Sequence, residues 1–141
     1  MIRKLETNDI DEVMNIWLET NIKAHKFIDK KYWENNYNEV KKGILNADTY
    51  VFEKNNQIMG FVGIIDGYIA GIFVKESMQR NGIGKQLINK SKEKYKKLTL
   101  NVYEKNKQAI KFYQNQGFNI VNKSIDEQTK EIELFMEWTK K

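Results

Sequence analysis

Cysteine and proline are both missing from this 141-residue chain, and histidine occurs once. Without cysteine there is no disulfide framework, no thiolate nucleophile and no thiolate zinc cluster. A lone histidine leaves too few ligands for the common metal sites, so no metal is expected. No apolar run approaches the ~20 residues that span a bilayer. The opening Met1-Ile2-Arg3-Lys4-Leu5 lacks the apolar stretch of a secretory leader. A cytoplasmic protein that makes no use of a membrane is the resulting expectation. No Gly/Ser linker, internal repeat or break in composition divides the chain, so residues 1–141 are expected to form one domain.

Hydrophobic residues supply 40% of the sequence and charged residues 30%, the balance of a globular protein with a core. Lys and Arg number 24 against 19 Asp and Glu, a net charge of +5. Solvated lysine-rich faces account for that excess without any partner. Read functionally, it attracts a polyanion, either a nucleic acid or a phosphate-bearing cofactor. A nucleic-acid module calls for a basic strip interleaved with exposed aromatics. Most aromatics here fall instead at periodic, core-like positions, which disfavours nucleic acid.

Periodicity sketches a mixed α/β domain. Ile2 to Leu5 reads as a strand. Asp9 to Thr20 and Lys30 to Lys42 read as helices, with Ile10, Val13, Met14 and Trp17, then Trp33, Tyr37 and Val40, at helical spacing. The only histidine, His25, lies between them. Thr49 to Glu53, Ile58 to Ile65 and Tyr68 to Val74 read as an antiparallel meander, turning at Asn55-Asn56 and Asp66-Gly67. Gly60, Gly63 and Gly71 inside these strands mark a bulge or a close approach. Ile83, Leu87, Ile88, Ser91 and Tyr95 form a helical stripe, and Leu98 to Tyr103 is a strand. Ala109 to Gln116 is a helix stopped by Gly117. Phe118 to Ser124 and Glu131 to Trp138 close the sheet. The order is β-α-α-β-β-β-α-β-α-β-β.

Two stretches carry chemistry. In the first, the strand ending at Val74 leads through a polar loop to Gly82-Ile83-Gly84 and a helix. The opening N–H groups of a helix lack intrahelical partners and favour anions, and glycine lets a diphosphate come close. The same glycines also suit a simple tight turn. A dinucleotide GxGxxG fails at Leu87, and a P-loop fails at Gln79 and Gln86. The second stretch runs from Asn106 to Phe118. There Asn106 suits a helix N-cap, and Ala109, Phe112 and Phe118 suit a core. Tyr113 fits either a core or a proton donor.

Gln79-Arg80-Asn81-Gly82-Ile83-Gly84 resembles the Q/R-x-x-G-x-G/A signature of the GNAT superfamily of N-acetyltransferases. Asn106, Ala109, Phe112, Tyr113, Gly117 and Phe118 resemble its N-x-x-A-x-x-F-Y-x-x-x-G-F motif. Ala24-His25-Lys26-Phe27-Ile28 with Tyr32-Trp33 is similar to a pattern in small bacterial members, some implicated in acetylating protein lysines. Glu76 departs from the proline many members carry after the fourth strand.

The resemblance implies a splay between strands 4 and 5 and an acetyl-CoA cosubstrate. It places the pantetheine along Ile72, Phe73 and Val74, and the diphosphate on Gln79, Arg80, Asn81, Gly82, Ile83, Gly84 and Lys85. Asn106 and Tyr113 come near the thiol. Direct attack of an amine is implied, with Tyr113 as general acid and His25 as a base acting through water or as part of the acceptor pocket. The favoured acceptor is a protein or peptide lysine or an N-terminal amine. A small amine such as an antibiotic, polyamine or amino acid is the alternative. A non-catalytic, basic nucleic-acid-binding module is the alternative of another class.

Overall fold

Two short turns organise the meander. Asn55 and Asn56 take left-handed angles (φ 54° and 62°), as do Asp66 and Gly67 (φ 49° and 82°). Paired positive φ values make the primed turns whose twist matches antiparallel strands. The computed structural model describes residues 1–141. In it β1 (Ile2–Lys4), β2 (Asp48–Lys54), β3 (Gln57–Ile65) and β4 (Tyr68–Val74) are antiparallel neighbours. With β5 (Lys97–Tyr103), β6 (Asn119–Ile125) and β7 (Ile132–Thr139) they form one sheet, ordered β1-β2-β3-β4-β5-β7-β6.

Helices cover both faces because the strands alternate. Val51 and Phe61 pack with α1 (Ile10–Ala24) and α2 (Lys30–Asn46). Tyr50, Val62, Leu100 and Met136 pack on the other face with α3 (Ile83–Lys94) and α4 (Lys107–Asn115). The element order agrees with the expected one, and the sheet is mixed because β4 and β5 run parallel.

Helix ends lie beyond the periodicity. α1 runs past Thr20 because its helix breakers turn inward. Thr20 Oγ1 donates to the Ile16 carbonyl (2.6 Å), and Asn21 Nδ2 to that of Trp17 (2.9 Å). These bonds satisfy groups that otherwise compete with the helix. α2 continues past Lys42 to bury Ile44. Tyr95 falls just outside α3, where its backbone is already extended. No helix is long and apolar enough to cross a membrane.

The functional geometry comes from where β4 and β5 part. Their pairing is confined to Tyr68 with Thr99 and Ile69 with Leu100. Past that point each strand keeps its outer neighbour. Lys75 N–H donates to the Met59 carbonyl (2.8 Å), holding the end of β4 to β3. Val102 and Tyr103 stay paired with Leu134 and Glu133 of β7. A bulge adds to the divergence: Ile64 pairs with Ile69 and Gly63 with Gly71, so Ala70 has no opposite residue on β3. Such an extra residue bends its strand and loosens the ladder locally. Gly60 is needed beside this bend, since a Cβ there would sit 2.8 Å from the Phe73 carbonyl oxygen.

Candidate functional site

Opposite ends of the β4–β5 gap open into two joined spaces. One is a cleft of about 430 Å³ between β4, the start of α3 and α4. The other is a cavity of about 300 Å³ between the sheet and the α1–α2 connection. Ile72, Val74, Asn106 and Tyr113 line both.

The cleft has the chemistry of an anion cradle. Glycine begins α3 and cannot cap it with a side chain, whereas Asp29 caps α2 and Asn106 caps α4. The first bond of α3 runs from Gln86 N–H to the Gly82 carbonyl (3.1 Å). The N–H groups of Ile83, Gly84 and Lys85 therefore have no helical partner. Gly82 is left-handed (φ 78°) and so is Arg80 (φ 69°), a non-glycine residue in a costly region. Side chains hold this turn. Gln79 Nε2 donates to the Val74 carbonyl (3.0 Å), and Asn81 Nδ2 donates to that of Met78 (3.1 Å). Arg80 and Lys85 add positive charge at the cleft wall. Free amides, cations and glycines suit a diphosphate.

Most of the expected cofactor residues meet here. Ile72, Val74, Gln79, Arg80, Gly82, Ile83, Gly84, Lys85, Asn106 and Tyr113 all line the cleft. Two do not. The Phe73 ring turns to the other face of the sheet, where it packs near Phe61 and borders the second cavity. Asn81 spends its side chain on the loop itself. Gly84 has a packing duty as well, since a Cβ there would lie 3.1 Å from Phe112 Cζ.

Tyr113 stands at the junction, 9% exposed as a residue. Burial, with a smaller push from the Tyr68 phenol, holds its hydroxyl well above the ordinary phenol range, so it carries its proton at neutral pH. Its ring packs against Phe112 and Phe118 (centroids 5.3 and 5.8 Å).

His25 borders the second cavity, stacked on Trp33 (5.4 Å) and edge-on to Tyr103 (5.2 Å). Its protonation follows from Asn106. Asn106 Oδ1 accepts the Ala109 N–H (3.2 Å) as helix cap, which turns Nδ2 towards His25 Nε2 (3.1 Å). His25 Nε2 is then the acceptor, and the imidazole is neutral with its proton on Nδ1. Burial pushes its pKa down, in agreement. We expect His25→Ala to lower stability by about 1–2 kcal/mol through lost ring packing. The same variant is expected to leave the pH–rate profile unmoved, which a melt and a pH series would check.

Aromatic and polar groups complete the second cavity: Trp17, Trp33, Tyr68 and Tyr103, with Asn101 and Glu133. Asn101 Nδ2 donates to the Tyr68 hydroxyl (2.9 Å), and the Tyr103 hydroxyl donates to Asp126 (2.8 Å). None of Tyr68, Asn101, Tyr103 or Glu133 lies in a motif, and Glu133 reads as the polar half of an alternating strand.

A profile described as "Acetyltransferase (GNAT) family" matches residues 10–118. The chain is 36% identical over 140 residues to a protein of Escherichia coli (strain K12) named peptidyl-lysine N-acetyltransferase YiaC, covering 98% of this chain and 96% of that one. It is 25% identical over 124 residues to peptidyl-lysine N-acetyltransferase YjaB of the same strain, covering 87% and 84%. In fold it superposes on the PaiA N-acetyltransferase of Thermoplasma acidophilum, crystallised with coenzyme A. The TM-score is 0.83 at 20% identity, with 99% and 98% of the two chains covered. Glycine turn, parted strands and family match agree, and this chain belongs to the GNAT family of acetyltransferases.

Proposed function

We propose that this protein transfers an acetyl group from acetyl-CoA to the side-chain amine of a lysine in a protein or peptide. One observation carries the reading: Tyr113 and Asn106 join a diphosphate cradle to an aromatic-walled cavity. A donor on one side and an alkyl amine on the other meet where the strands part. The name of the relative sharing 36% identity supports lysine as the acceptor.

Acetyl-CoA supplies an activated thioester. Ile83, Gly84 and Lys85 N–H, with Arg80, hold its diphosphate, and the freed edge of β4 from Ile72 to Val74 offers main-chain groups to the pantetheine. Asn81 and Gln79 keep the loop in shape. A backbone N–H of β4 steadies the charge that develops on the carbonyl oxygen. Tyr113, protonated at neutral pH, returns a proton to the departing sulfur. Asn106 and His25 fix one another at the junction. Residues 1–141 act as one catalytic unit.

Labelled acetyl-CoA offered with lysine peptides, polyamines, aminoglycosides and free amino acids tests the reading. Lysine peptides are expected to be acetylated with the highest kcat/KM. Preference for a small amine would replace the acceptor assignment. Labelled acetyl taken up from no donor but another acyl carrier would sink the whole proposal.

A further inference from the structure

We propose that Glu133 receives the acceptor, pairing with the incoming primary ammonium and removing its proton before attack. This rests on the acetyltransferase reading above and names the group that reading lacks.

Glu133 is the one acidic residue lining the second cavity, and no lysine or arginine lines it. The register puts it there. Glu133 faces Tyr103 across the β5–β7 ladder, and Phe135 faces Asn101, while Leu134 and Met136 point into the opposite core. Neighbouring acids already have partners. Glu131 pairs with Lys105 (3.1 Å) and Glu104 with Lys123 (2.7 Å). Glu133 joins no ion pair. A half-buried carboxylate with no cation of its own is a costly thing to keep in a sheet, and an arriving ammonium would repay it.

The walls suit an alkyl ammonium. His25 and Tyr103 meet edge to face (centroids 5.2 Å), and Trp33 stacks on His25. Aromatic faces take a methylene stem and attract its cationic head. They fit a long unbranched primary amine better than a bulky polycation.

The other titratable groups around Glu133 are less suited to be the base. Tyr103 on β5, Tyr68 on β4 and Tyr32 on α2 are phenols raised above their usual range, chiefly by burial. The lone pair of His25 Nε2 is taken up by Asn106. Asp126, in the β6–β7 turn, accepts from Tyr103. Burial first, and Asp126 second, hold the Glu133 carboxyl above the ordinary carboxylate range, which makes it a stronger base.

The proton count closes. The ammonium gives one proton to Glu133, which passes it to solvent. The neutral amine forms the N–C bond to the thioester carbonyl carbon, and the C–S bond breaks. Sulfur leaves with the Tyr113 proton, and the second amine proton restores the phenol. The products are an amide, free CoA and one proton in solution.

Glu133→Gln keeps the shape and removes the charge. At pH 7.5 it is expected to lower kcat/KM for a lysine peptide by about 10²-fold, the scale of a lost general base. KM for acetyl-CoA and the melting shift with CoA are expected to stay as in wild type. The deficit is expected to shrink as pH approaches about 10, where a lysine amine loses its own proton, and to shrink for a weakly basic amine. Stability moves the other way. The folded state holds this carboxyl above its unfolded value, so its favourable contribution is complete below the unfolded pKa and lost as pH rises through the folded one. At pH 7.5 Glu133→Gln is therefore expected to melt no lower than wild type. Glu133→Asp, which keeps the charge at shorter reach, is expected to retain more activity than Glu133→Gln.

A Glu133→Gln enzyme within about 3-fold of wild type at pH 7.5 overturns the proposal. So does a deficit equal at every pH and for every amine, or one shared by Glu133→Asp with a lowered melt. A wild-type protein that binds CoA yet acetylates no amine overturns the acetyltransferase reading itself, and this one with it.

Discussion

Tyr113→Phe is expected to reduce turnover by about 10²-fold or more, because it deletes one hydroxyl and keeps the ring. The ring is the packing element, seated against Phe112 and Phe118, so the variant should fold normally. Stability should change by no more than about 1 kcal/mol, the usual net worth of one hydrogen bond. Affinity for acetyl-CoA should hold, since the contacts proposed above, the diphosphate turn and the edge of β4, do not use this hydroxyl. The pattern to look for is a fall in kcat with KM for acetyl-CoA unchanged. Product release can hide a slower chemical step, so a single-turnover rate is the decisive measurement. Near-normal activity there, combined with a lowered melt, would make Tyr113 a core residue only.

Gly82→Val is expected to abolish the stabilisation that CoA confers. Ligand at about 100 times its dissociation constant adds roughly 2.7 kcal/mol to a protein that binds it only when folded. Space is not the obstacle, since a Cβ at Gly82 would meet nothing within 4 Å. The backbone is. At φ 78° an L residue pays about 1–2 kcal/mol, and a β-branched one more, so the turn must rebuild. Rebuilding moves the N–H groups of Ile83, Gly84 and Lys85 away from a common focus. The unliganded variant should therefore melt lower by about 1–2 kcal/mol and respond little to CoA. A wild-type response in a thermal-shift titration would show that the diphosphate lies elsewhere.

The motif residues were legible because each has a local duty that leaves a mark in the sequence. Gly82 and Gly117 stand where φ is positive, and Asn106 stands where a helix needs a cap. The hairpins were legible for the same reason, through Asn55-Asn56 and Asp66-Gly67. The second cavity was not. Tyr68, Asn101, Tyr103 and Glu133 come from β4, β5 and β7, and only the sheet order brings them side by side. Each alternates correctly within its own strand, so nothing local distinguishes it from a surface residue. Phe73 shows the limit from the other side. It lies within the expected pantetheine strand, yet the Ala70 bulge and the strand's alternation send its ring to the α1–α2 face. There its side chain shapes the second cavity. The length of α1 was hidden too, because Thr20 and Asn21 read as helix breakers until their side-chain bonds are seen.

The parting of β4 from β5 sets a limit on how far this protein can be stabilised without harm. Across the middle of the sheet only Tyr68–Thr99 and Ile69–Leu100 are paired, so the two halves share a short hinge line and a common core. An engineer seeking a higher melting temperature would be drawn to that gap, where added cross-strand pairing promises the largest gain. Each added rung would occupy the main-chain groups of Ile72 to Val74, the strand edge proposed above to hold the pantetheine. On that proposal, thermostability and turnover compete at this one place. Robust variants are better sought at the far edges of the sheet, where β1 and β6 end the ladder at a distance from the chemistry.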